Sequence, residues 1–84
     1  EAEAIEVEAQ ATSSIVNRPI YQLNFPKDAI ITSIIRGDEI IIPQGNDIII
    51  PGDRVIIFAL SKAIRQVEKS LQVKARRMTG RLDK

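Results

Sequence analysis

Between Ala29 and Leu60 the chain reads AIITSIIRGDEIIIPQGNDIIIPGDRVIIFAL, apolar runs divided by three clusters of turn residues. The rest of the sequence reads as segments folded onto this stretch. In Arg36-Gly37-Asp38-Glu39 the glycine takes the first central position, where a two-residue type II′ hairpin needs positive φ. Ala29 to Arg36 and Glu39 to Pro43 are therefore expected to pair antiparallel. Gln44-Gly45-Asn46-Asp47 ends the second strand, since glycine and asparagine tolerate left-handed backbone best. Pro51-Gly52-Asp53 forms the third bend, and the β-branched and aromatic run Arg54 to Leu60 makes the strongest strand.

Toward the N-terminus, Ile5, Val7 and Ala9 alternate with Glu6, Glu8 and Gln10, the period of a half-buried strand with a charged outer face. Thr12-Ser13-Ser14 breaks that pattern with capping residues. Pro19 then suits the first turn of a short helix bearing Ile20 and Leu23 and ending near Asn24. Pro26 leads into the hairpin, and Phe25 is expected to anchor that loop in the core. After the last strand, Ser61 is placed to cap a helix whose inward stripe is Ile64, Val67 and Leu71. The expected class is α+β: a small, mostly antiparallel sheet or pseudo-barrel of about four strands, with a short helix after strand one and a C-terminal helix. One domain spans 1–73, and 74–84 reads as a flexible basic tail.

An 84-residue chain is near the lower limit for burying an adequate core without covalent or metal staples. It has no cysteine and no histidine, so disulfides, cysteine zinc sites and histidine acid-base chemistry are excluded. Asp47 and Asp53 form the one close acidic pair in the turns, but aspartate is selected there for backbone hydrogen bonding and the oxygen count of a calcium loop is missing. No enzyme is expected. Arg36-Gly37-Asp38 spells an adhesion tripeptide, although the hairpin alone accounts for each residue. Lys74-Ala75-Arg76-Arg77 is basic yet interleaves with no aromatic residue, which argues against a nucleic-acid platform. The acidic start and the basic end are complementary in charge. The absence of an initiating methionine suggests a fragment of a longer protein, and the lack of cysteine and of long apolar spans suits the cytoplasm.

Sixteen isoleucines are too many for one small sheet to hide, and runs such as Ile40-Ile41-Ile42 and Ile48-Ile49-Ile50 put them on both faces. Burying each is worth about 1.5 to 3 kcal/mol, so a homodimer is expected, with a closed monomeric barrel as the alternative.

The order of motifs resembles the TrkA-C domain, the C-terminal subdomain of RCK regulators of potassium conductance. The matching residues are Ile15-Val16-Asn17-Arg18-Pro19-Ile20, Leu23-Asn24-Phe25-Pro26, Ile34-Ile35-Arg36-Gly37-Asp38-Glu39, Ile42-Pro43-Gln44-Gly45 and Pro51 to Phe58. Asn17 departs from a glycine common in the family, and asparagine is its nearest substitute at a left-handed position. The resemblance implies a dimeric ligand-sensing module of a potassium or other cation transport system. Its implied partners are a membrane transporter or channel subunit, or a nucleotide-binding RCK N-terminal domain, and its alternative role is ligand-independent dimerisation. In some members the cleft between two domains is similar to a cyclic di-AMP receptor site, which maps here onto Pro26, Ala29, Ile30, Ile31 and Pro43. Ile30 stands where a polar residue often helps to read the base, and Arg36 lies too far along the hairpin to serve as a phosphate ligand.

Overall fold

The computed structural model describes residues 1–78. Five strands, β1 (Ala2–Glu8), β2 (Ala29–Arg36), β3 (Glu39–Ile41), β4 (Arg54–Leu60) and β5 (Ala75–Arg77), form one open antiparallel sheet in the order β3-β2-β4-β1-β5. A single α-helix, α1 (Ile64–Leu71), follows β4. The α+β class and the antiparallel pairing are as the sequence indicates, whereas the count of four strands is one too low and the sheet does not close.

β4 sits at the centre because its pattern is the cleanest. Val55, Ile57 and Ala59 are buried while Arg54, Phe58 and Leu60 are exposed. β1 pairs with it along its whole length, from Ala2 opposite Leu60 to Glu8 opposite Arg54, so Ile5 and Val7 share the inner face with Ile57 and Val55. In β2 the inward residues are Ile31 and Ile34, three apart, which a regular strand cannot place on one side. A bulge between Ile31 and Ser33 corrects the phase, and the Thr32 hydroxyl donates to the Ile56 carbonyl there at 3.1 Å. Helix α1 closes the inner face with Ile64, Val67 and Leu71.

The hairpin has the expected turn: Arg36 faces Glu39 and Gly37 has φ +60°. Asn17 is left-handed at φ +68°, so the departure from glycine is accommodated. Gly52 has φ +96°, and a Cβ there would meet nothing within 4 Å. Gly52→Ala therefore isolates backbone strain from packing, and we expect a loss of about 1 to 3 kcal/mol in urea unfolding with an unchanged m-value.

The segment after β1 differs from expectation. The short helix is only a single 3₁₀ turn, Ile20–Gln22. Pro19 is extended, and the turn is tied to the loop across the way by its first amides, which a helix would leave free: Ile20 N–H donates to the Asp47 carbonyl at 2.9 Å and Tyr21 N–H to that of Gly45 at 3.1 Å. Too few residues remain before Pro26 to offset helix nucleation. Ser13 and Ser14 cap a helix terminus, but the distant one: their hydroxyls donate to the Leu71 and Ser70 carbonyls at 2.6 and 3.0 Å. Ser61 opens a 3₁₀ turn instead of capping α1, and its hydroxyl donates to Glu3 at 2.7 Å. That bond first, and then Arg77, hold the Glu3 carboxyl below its usual range.

The expectation of a flexible tail from Lys74 onward is corrected for Ala75–Arg77, which are β5 paired to β1; residues 79–84 lie outside the described part. The charge complementarity of the two ends is realised here, as Arg76 reaches Glu6 at 3.2 Å and Arg77 pairs with Glu3.

Candidate functional site

β3 pairs only with Ile34–Arg36, so no strand lies beside Ala29–Thr32 on that side among the described residues. The chain leaves β3 through Ile42 and Pro43 and turns back at Gln44–Asp47, where the Gln44 amide donates to the Asp47 carboxylate at 2.7 Å. This detour opens a cavity of about 220 Å³ lined by Ile20, Phe25, Ala29, Ile30, Ile31, Pro43, Gln44 and Gly45. Ala29, Ile30, Ile31 and Pro43 are thus brought together, as the sequence reading requires. Pro26 lies elsewhere, in a separate cavity of about 320 Å³ shared with Lys27, Asp28, Lys62, Ala63 and Gln66. Its carbonyl instead accepts the Ala29 amide at 3.2 Å, turning the chain into β2.

Ile20, Phe25, Gln44 and Gly45 complete the groove without having been expected there. The reason is non-local: the bridge of Pro19 with Ile48 and the Tyr21–Gly45 hydrogen bond carry the 3₁₀ turn onto the return loop. Phe25, half-buried against the core, is the loop anchor that the sequence suggested and a wall of the groove as well.

Among the described residues, no lining side chain is ionisable. The groove can offer apolar walls, one amide side chain and the backbone edge of β2. Such a surface suits flat, partly apolar groups whose rims form hydrogen bonds; it has no group for proton transfer or for neutralising an anion. Its exposed lip is Ile30, 61% accessible, which stands opposite Phe58, 49% accessible, on the outer face of the sheet. Ile40, Leu60 and Met78 are also exposed.

Arg36 is committed elsewhere. Its Nε donates to Asp53 Oδ1 at 2.9 Å, and its Nη2 donates to Asp53 Oδ2 at 2.8 Å and to the Ile48 carbonyl at 3.0 Å. Asp53, buried, also accepts the Ile50 amide at 3.0 Å. Burial pushes its carboxyl up, but the hydrogen bond from Arg36 and that from Ile50 outweigh it and hold the pKa below normal. The pair locks the return loop to the end of β2. Arg36 is therefore turned away from the hairpin tip, and the adhesion reading of Arg36-Gly37-Asp38 loses its arginine. Among the described residues, no group of three or more acidic side chains is placed to hold a metal ion, and no helix is long and apolar enough to cross a membrane.

The described residues form an open antiparallel sheet backed by one helix, with an uncharged groove at a strand edge. The chain belongs to the TrkA-C domain family, whose model matches residues 4–72. It is 54% identical over 68 residues to Trk system potassium uptake protein TrkA homolog 2 of Methanosarcina mazei, a match covering 81% of this chain and 15% of that protein. It is 35% identical over 71 residues to Trk system potassium uptake protein TrkA of Azorhizobium caulinodans, covering 84% and 16%. The chain spans about 15% of the length of these curated relatives. A solved chain described as "Structure of RCK domain with cda" superposes with a TM-score of 0.70 at 25% identity, covering 82% of this chain and 97% of that one.

Proposed function

We propose that this domain regulates a potassium or other cation transport system as a cytoplasmic homodimer, with a small ligand held in a cleft that two copies complete. The observation that carries the reading is the groove along the half of β2 that β3 does not flank. Its volume of about 220 Å³ is below the roughly 300 to 1,000 Å³ of ordinary ligand pockets, as expected if one chain supplies half a site. Its lip continues into exposed isoleucine and phenylalanine, surface that a second copy would remove from water. The Trk potassium uptake proteins among its relatives and the RCK domain described with cda support transport and ligand binding.

The mechanism is a population shift. A ligand spanning two grooves favours one mutual orientation of the copies, and an attached nucleotide-binding domain or transporter subunit responds as far as the ligand discriminates between states. Cyclic di-AMP is the first ligand to test, because adenine faces suit the Ile30, Ile31 and Pro43 walls and adenine edges suit backbone groups of β2. A second reading, dimerisation without ligand, is favoured by the groove lining among the described residues, which is apolar but for Gln44 and offers phosphates no cation.

Light scattering on serial dilution should give twice the monomer mass. Cyclic di-AMP at a hundredfold excess over Kd should then stabilise the domain by about 2.7 kcal/mol, raising Tm by roughly 10 °C or more. A stable dimer with no shift at any concentration would select the scaffold reading, and a monomer throughout would remove both.

A further inference from the structure

β5 is held by unusual means for a strand. It has three residues, against the five or six typical of strands, and among the described residues its outer side has no neighbour in the sheet. Arg76 and Arg77 are 75% and 56% accessible, and Ala75 alone among the three is partly buried against the core. Beyond its backbone pairing with β1 over Ile5–Val7, what fastens it is charge. Arg76 Nη2 lies 3.2 Å from Glu6 Oε2, Arg77 Nε donates to Glu3 Oε1, and the Ala75 amide donates to Glu68 Oε2 at 2.8 Å. Beyond the strand, the Met78 amide donates to the Ala4 carbonyl at 3.0 Å. The lead-in is also under tension, since Gln72, which ends α1, has φ +55°, a conformation that non-glycine residues adopt at a cost.

We propose that β5 is an electrostatic latch that rising ionic strength releases, uncovering the edge of β1 while the rest of the sheet stays folded. Screening shortens the reach of charge from about 10 Å in 0.1 M salt to about 3 Å in 1 M; Glu6 and Glu3 are only 11% and 22% accessible, but the arginine ends face water, so the ties of β5 weaken with salt from that side. Apolar burial, which holds β1, β2 and β4 together, does not weaken in this way. Ala75 gives the strand only a small apolar contact to compensate. Release would free Glu3 and Glu6 of their β5 partners and expose backbone groups of β1 over Ile5–Val7. A domain of a potassium-uptake family would thereby respond to total salt through screening, without binding an ion and without involving the groove.

The test is amide hydrogen exchange on this chain in about 50 mM and about 1 M KCl, repeated in NaCl. Protection of Ala75 and Met78 should fall about tenfold relative to the β4 amides, equally in both salts. The double variant Arg76→Ala/Arg77→Ala should show the low value already in dilute salt and no further dependence, with β4 protection retained. Unchanged protection of Ala75 and Met78, an equal loss in β4, a response to KCl but not NaCl, or full protection in the double variant would each overturn the latch.

Discussion

Arg36→Ala should cost about 3 to 5 kcal/mol, more than Asp53→Ala, although the two remove the same ion pair. The asymmetry follows from burial: the Asp53 side chain is 2% accessible and that of Arg36 37%. Removing arginine strands a carboxylate away from water with only the Ile50 amide as a side-chain partner. Removing aspartate leaves a guanidinium that water can reach, together with an unpaired Ile50 amide, for which about 1 to 3 kcal/mol is appropriate. Chemical denaturation of both variants and of the double variant measures the coupling directly. Equal losses in the two single variants would contradict the burial argument.

The same pair has a pH signature. The Asp53 carboxyl is held below its unfolded value, so its contribution is fully present above that value, near pH 3.9, and is lost as pH falls through the lower folded value. From neutrality down to about pH 4 this group should leave stability unchanged. In Arg36→Ala the hydrogen bond that opposes burial is gone and burial outweighs the Ile50 amide, so the Asp53 carboxyl is pushed up and acidification should relieve part of the variant's loss of stability.

The other large effect concerns assembly. Ile30→Asp should weaken the proposed homodimer about a thousandfold, equivalent to about 4 kcal/mol, because the two-fold axis would bring two carboxylates into a surface removed from water. The folded monomer should be nearly untouched, within about 0.5 kcal/mol, since Ile30 is already 61% accessible. Light scattering should show a halved mass at concentrations where the unaltered chain is dimeric, with unchanged far-UV circular dichroism. A variant that remains fully dimeric would move the interface away from the groove lip.

Local rules were sufficient where one short stretch carries the whole signal. The type II′ hairpin at Gly37, the left-handed Asn17, the alternation of β4 and the helical spacing of Ile64, Val67 and Leu71 each depend on a few neighbouring residues and their allowed φ. Ala29, Ile30, Ile31 and Pro43 were grouped by the family resemblance and by no local rule; the structure sets them along one groove, without Pro26.

Tertiary structure decided what depends on partners distant in the chain. The run Ala29 to Arg36 does not announce a bulge at Thr32; the need to bury both Ile31 and Ile34 against β4 imposes it. Ser13 and Ser14 are visible as capping residues, but only the fold brings them to the carbonyls of Leu71 and Ser70. Pro19 promises a helix, but the turn after it is bound to the return loop and stops at Gln22, and Lys74 to Arg77 looks like a solvated tail until Glu3, Glu6 and Glu68 are found beside it. Sequence by itself set the backbone preferences and the apolar period, which act over a few residues. The fold alone set the sheet edge, the groove and the partner of every buried charge, because those energies arise between segments that only folding brings together.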